Sequence, residues 1–108
     1  MRDEPTESGL GEPQTGAQLQ GLRDQVDDVD AQMVALLGRR FGLTRQIGLL
    51  KAATGLPSRD DVRESHQRLR LALLAEEQGV NTPMVLRFFD TITDQVVAEH
   101  EAVKAGLQ

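Results

Sequence analysis

A long apolar stripe without a proline constrains the fold of this chain more than any other feature of its sequence. From Leu19 to Leu50, large aliphatic residues recur mostly at steps of three and four, as one face of an α-helix requires. The stripe consists of Leu22, Val26, Val29, Met33, Leu36, Leu37, Leu43 and Ile47. Gly55 and Pro57 are typical of the end of a helix. The pattern predicts one helix from about Leu19 to Thr54.

Two shorter amphipathic segments follow the stripe. Ser58, with Asp61 three residues later, resembles a capping box and predicts a second helix from about Arg59 to Gln78. Thr82 and Pro83 suit the N-cap and first position of a third helix that fills the rest of the chain. Leu, Ala, Gln, Glu and Arg dominate these segments, and all favour helices. We therefore expect an all-α fold with one long and two shorter helices.

The first 17 residues differ in composition from the rest of the chain. They hold two Pro, three Gly and four acidic residues with little to bury, which predicts a disordered leader over residues 1–17. Residues 18–108 then form a single helical domain. The leader does not resemble a secretory signal, and no segment has the apolar length of a membrane span, so we expect a cytoplasmic protein without membrane contact.

The length of the first helix predicts a dimer. About 36 helical residues extend roughly 54 Å, whereas a compact chain of this size has a radius of gyration of only about 13 Å. Two shorter helices cannot cover so long a stripe, so a second copy should lie along it as an intertwined homodimer. Gly38, Gly42 and Gly48 weaken this helix. Either another group approaches the helix closely there, or the glycines are neutral drift.

The charge and the reactive residues exclude several functions. The net charge is −5 and no basic tract is present, so nucleic acid is not an expected partner. The chain has no Cys, which excludes disulfides and thiolate chemistry. Only His66 and His100 could supply imidazole, so we expect no metal site.

Cations on otherwise apolar helix faces are the sequence feature that says most about function. Arg40 continues the stripe from Leu36, and Lys51 lies four residues beyond Ile47. A single such cation usually extends its charged end to water along its aliphatic stem. With Arg23, Arg63 and Glu64, however, the set could surround a ligand with two carboxylates, because the guanidinium group binds carboxylate through a planar fork.

Order and spacing now point to a known family. The sequence contains Leu22-Arg23-x-x-Val26-x-x-Val29-Asp30-x-x-Met33-x-x-Leu36-Leu37-x-Arg39-Arg40, then Ile47-Gly48-x-x-Lys51, then Arg59-Asp60-x-x-Arg63-Glu64. Together these runs resemble the signature of the all-helical chorismate mutases. The resemblance covers about Leu19 to His100.

The resemblance implies an enzyme that rearranges chorismate to prephenate, without metal or cofactor, in the shikimate pathway of aromatic amino acid biosynthesis. It implies that Arg40, Lys51 and Arg63 line the pocket of one subunit while Arg23 enters from the other. Arg23 and Arg40 would hold the substrate carboxylates. Lys51 would donate to a carboxylate and to the ether oxygen of the bond that breaks.

The same resemblance assigns the remaining site residues. Glu64 would accept from the substrate hydroxyl, and Asp60 would contribute near that hydroxyl through its backbone. His100 stands where the family usually has a Gln or Glu donor to the ether oxygen, and Val96 stands where it often has Ser. His100 could therefore be a donor or a packing residue. His66 matches no family site.

Three other functions remain open from the sequence. The same cations would suit rearrangement of 4-amino-4-deoxychorismate, or elimination of pyruvate from isochorismate, because each substrate carries two carboxylates. The third possibility is a helical dimerisation or regulatory module without activity. The presence of every expected cation argues against that third possibility.

Overall fold

The computed structural model describes residues 11–107 and shows three helices and no strand within them. The helices are α1 (Gly11–Thr54), α2 (Asp61–Gln78) and α3 (Thr82–Leu107). The predicted all-α fold with one long and two shorter helices is therefore confirmed. In the described part of the chain, none of the helices has the apolar length that a membrane crossing needs.

Helix α1 begins earlier than the sequence predicted. Residues 11–17, which we assigned to a disordered leader, belong to the helix, and residues 1–10 of that leader lie outside the described residues. Because residues 11–17 are mostly polar residues, Gly and Pro, their composition predicted disorder although the segment is helical.

The end of α1 and the start of α2 frame a short connection. Gly55 has a φ of 73°, and the amide of Leu56 donates to the Lys51 carbonyl at 2.9 Å, so α1 ends as predicted. The N-cap of α2 is Asp60, whose carboxylate accepts from the Arg63 amide at 3.0 Å. Our assignment of Ser58 as the cap was wrong, because Ser58 is buried two residues before the cap.

The connection between α2 and α3 is a second tight turn. Gly79 adopts a φ of 68°, and the amide of Val80 donates to the Ala75 carbonyl at 2.9 Å, which closes α2 at Gln78 as predicted. The side chain of Asn81, rather than Thr82, caps α3 by accepting from the Met84 amide at 2.9 Å. The predicted cap is thus displaced by one residue.

The chain divides into two compact units, one up to Arg39 and one from Arg40 onwards. The first unit contains only helix within its described residues, and most of its large apolar side chains are exposed in the single chain. These are Leu19, Leu22, Val26, Val29, Met33, Val34 and Leu36. In the second unit α2 packs on α3 around Leu71, Ala75 and Ile92.

A histidine joins α3 to the last part of α1. The ring of His100 is 3% exposed, and its Nε2 lies 2.8 Å from the carbonyl oxygen of Thr44. A Cβ on Gly48 would lie 2.8 Å from that Nε2 and closer still to Cδ2. Gly48 is therefore the glycine that a close approach requires, whereas Gly38 and Gly42 have no such neighbour within 4 Å in the described chain.

We predict that Gly48→Ala lowers the free energy of unfolding by about 1–3 kcal/mol, since the new methyl group must displace the His100 ring. In a His100→Ala background the same change should be neutral or stabilising, because alanine is the better helix former. Urea unfolding of the four proteins at one protein concentration, followed by circular dichroism, measures this coupling. An equal loss in both backgrounds would show that the ring does not occupy this space.

Candidate active site

A cavity of about 310 Å³ lies within the second unit, among α1, α2 and α3. Seven of the eight site residues that the sequence predicted line it, namely Arg40, Lys51, Asp60, Arg63, Glu64, Val96 and His100. The eighth, Arg23, lies on the exposed surface of the first unit and does not line this cavity.

Helical periodicity accounts for this convergence. On α1 the lining residues Arg40, Thr44, Ile47 and Lys51 follow one another at steps of three and four, so they share one face. The lining residues of α2 fall in its first two turns, directly after the Asp60 cap. The stripe predicted from the sequence is therefore aliphatic in its first part, whereas from Arg40 onwards it includes polar side chains that line the cavity.

Arg40 has the most unusual environment of the lining cations. Its guanidinium lies 5.6 Å from the centroid of the Phe89 ring, a cation–π contact that fixes the group from the α3 side. Its Nη1 is buried and has no hydrogen-bond partner among the described residues. Burial, and then the positive charge of Arg63, lower the pKa of Arg40 from its usual value. An anion bound in the cavity would offset the cost of burying this charge and its repulsion from Arg63.

Lys51 borders the cavity where α1 ends. Its Nζ donates to the carbonyl of Ser58 at 3.2 Å, which leaves two of its three N–H groups for another acceptor. The side-chain oxygen of Ser58 is itself buried, without a hydrogen-bond partner in the described chain. The Lys51 bond joins the last turn of α1 to the connection that leads into α2.

The two carboxylates that line the cavity are engaged by groups other than its cations. Asp60 accepts from the backbone amide of Arg63 at 3.0 Å. Glu64 pairs with Arg59 at 2.7 Å between Nη1 and Oε1. No ion pair within the described chain joins either carboxylate to the side chain of Arg40, Lys51 or Arg63. The three cations therefore remain able to bind an external anion.

His100 lines the cavity, but one of its ring nitrogens is already occupied. A carbonyl oxygen can only accept, so Nε2–H donates to Thr44. Nδ1 is buried and has no hydrogen-bond partner among the described residues. A second donor from this ring would need a proton on Nδ1. Beside it Val96 contributes an apolar surface and no hydroxyl.

Several residues that line the cavity or contact its lining were not predicted from the sequence. Thr44 lies one turn beyond Arg40 and Gln67 lies one turn beyond Arg63, so helical spacing alone could have identified both. Arg59 was seen in the motif but given no role, because its contact with Asp94 on α3 depends on the tertiary fold. Within the described residues, no three His, Asp or Glu side chains are grouped in a way that could hold a metal ion.

The sequence also shows similarity to known proteins. It is 44% identical over 63 residues to the 3-dehydroquinate dehydratase of Pyrobaculum aerophilum, covering 58% of this chain and 21% of that protein. It is 35% identical over 69 residues to the T-protein of Enterobacter agglomerans, covering 64% of this chain and 18% of that protein. It is 25% identical over 79 residues to the chorismate mutase of Methanocaldococcus jannaschii, covering 73% of this chain and 75% of that protein.

The chain thus spans about a fifth of the length of the first two relatives, at 21% and 18%, and three quarters of the third, at 75%. It also matches the family described as chorismate mutase type II over residues 22–101, a range that includes every predicted site residue. Because this match covers well over half of the sequence, the resemblance inferred from the motifs is confirmed and the chain belongs to the type II chorismate mutase family.

Proposed function

We propose that this chain is a chorismate mutase and that the cavity lined by Arg40, Lys51 and Arg63 is its active site. The observation that carries the proposal is the half-buried Arg40, whose Nη1 lacks a protein partner in the described chain while Arg63 adds like charge nearby. Such an arrangement is costly unless an anion binds there. The substrate of this family is a dianion, which supplies the missing negative charge.

The reaction needs no nucleophile. In the rearrangement of chorismate to prephenate, one carbon–oxygen bond of the ether breaks and one carbon–carbon bond forms, so substrate and product are isomers. The protein can accelerate it by holding the chair-like conformer and by stabilising negative charge on the ether oxygen as the bond breaks. Positioned cations perform both tasks.

The proposed roles come from the family resemblance, and the contacts of the cavity residues support them. Arg40 binds a substrate carboxylate through the guanidinium that Phe89 supports. Lys51 uses its remaining N–H groups for a carboxylate and the ether oxygen, while the Ser58 carbonyl fixes its position. Glu64 accepts a hydrogen bond from the ring hydroxyl, and the backbone at Asp60 contributes beside it.

We propose a secondary catalytic role for His100. Because its Nε2–H is donated to Thr44, only the ring with a proton on Nδ1 can donate to the ether oxygen. Lys51 is therefore the principal donor in this proposal. At the position where the family often has Ser, Val96 offers the substrate only an apolar contact and no hydrogen bond.

We further propose that the active unit is an intertwined homodimer, with Arg23 of the partner subunit completing each cavity. The support is the stripe of exposed aliphatic residues on the first unit, since exposed apolar surface of this extent is typical of an interface. Arg23 belongs to the same part of α1 and is exposed. We also propose a cytoplasmic location, which is typical of the family to which the chain belongs.

We predict that Arg40→Ala or Lys51→Ala lowers kcat/KM for chorismate by about 10²- to 10³-fold, the usual effect of losing a positioned charge-stabilising donor. Far-ultraviolet circular dichroism and the oligomeric state should stay as in the wild type. Arg45→Ala is the matched control, because Arg45 lies on the same helix but does not line the cavity. Near-wild-type turnover by both cavity variants would place the active site elsewhere.

We also predict that inactive Arg23→Ala and Arg63→Ala chains recover activity when they are unfolded and refolded together. In a heterodimer, one cavity receives Arg63 from its own chain and Arg23 from the other, so random pairing restores about one quarter of the wild-type sites. Each variant refolded alone is the control. Absence of recovery, with heterodimers demonstrated by mass spectrometry, would contradict a site shared between subunits.

A further inference from the structure

Arg59 connects the active-site carboxylate Glu64 to α3. Its Nη1 lies 2.7 Å from Oε1 of Glu64, and its Nη2 lies 3.4 Å from Oδ1 of Asp94. Arg59 itself does not line the cavity, whereas Glu64 does. The guanidinium therefore pairs with a cavity-lining carboxylate without lining the cavity itself.

This pair restricts Glu64 in two ways. A charge-assisted hydrogen bond to one carboxylate oxygen limits the rotamers of the side chain and leaves the second oxygen for another donor. The positive charge of Arg59 also offsets the negative charge that Glu64 presents to the cavity. The Asp94 contact holds the guanidinium from α3, so its position depends on two helices.

We propose that Arg59 is a positioning residue that sets the substrate preference of Glu64, favouring a neutral hydroxyl over an ammonium group at the position Glu64 contacts. The inference rests on the proposed function and concerns the same site. An uncompensated carboxylate attracts an ammonium group strongly, whereas a carboxylate already paired with a guanidinium attracts it less. A neutral hydroxyl binds better when the position of the Glu64 carboxylate is fixed, and the net charge of that carboxylate affects it little.

The test compares kcat/KM for chorismate and for its 4-amino analogue, whose aliphatic amine is protonated near neutral pH. Arg59→Met removes the charge and the guanidinium group but keeps an unbranched apolar side chain similar to the aliphatic stem of Arg. It should lower kcat/KM for chorismate and raise the ratio of amino to hydroxyl substrate by about three- to tenfold, as expected for a partly exposed pair. Arg59→Lys keeps the charge and should retain most of the wild-type ratio.

Arg68→Met is the matched control. Arg68 lies one turn beyond Glu64 on α2 and pairs with Asp90 on α3, so the change removes the same charge and a similar link between these helices. Its side chain is 48% exposed, against 45% for Arg59, but it is not the ion-pair partner of Glu64. This variant should leave the substrate ratio unchanged. Arg59→Gln provides a second neutral variant and should behave as Arg59→Met does.

The outcomes separate this inference from the proposed function. An unchanged ratio in both neutral Arg59 variants, or an equal change in Arg68→Met, would overturn the role of Arg59 while the wild type still rearranges chorismate. Failure of the wild type to rearrange either substrate would instead contradict the proposed function. A raised ratio in Arg59→Met and Arg59→Gln, with wild-type values in Arg68→Met, is the result we expect.

Discussion

Like charges held side by side in a half-buried cavity are the constraint on which the rest of this structure depends. Arg40 is partly withdrawn from water, lies near Arg63, and has one guanidinium nitrogen without a partner in the described chain. A protein selected for stability alone would pair or remove such a group. The positions of Phe89 against Arg40 and of Ser58 against Lys51 show that the surrounding fold holds these cations in place.

The turns of the second unit bring the side chains that line the cavity together. Gly55 ends α1 just after Lys51, and Asp60 starts α2 just before Arg63, so the short connection brings cations of two helices together. His100 then fixes α3 to α1 through the Thr44 carbonyl. Hydrogen bonds of Asp60, Lys51 and His100 thus hold the helices that form the cavity.

Most of the fold was predictable from local signals, and seven of the side chains that line the cavity were named from the sequence. The ends of α1 and α2 follow from Gly55 and Gly79, which adopt the left-handed conformation that glycine favours. The caps were misplaced because Ser58 and Asp60, or Asn81 and Thr82, are similar in capping preference, so only the folded backbone distinguishes them. The pairing of Arg59 with Asp94 joins residues 35 positions apart and has no local signal.

The most direct test of the central claim is incubation of the purified protein with chorismate, following the loss of substrate absorbance and the mass of the product. An Arg40→Ala sample prepared in the same way controls for a contaminating enzyme. We expect enzyme-dependent conversion to an isomer of the same mass, prephenate, with no release of pyruvate. No conversion beyond the Arg40→Ala rate, or conversion accompanied by stoichiometric pyruvate, would contradict the assignment of this cavity as a chorismate mutase site.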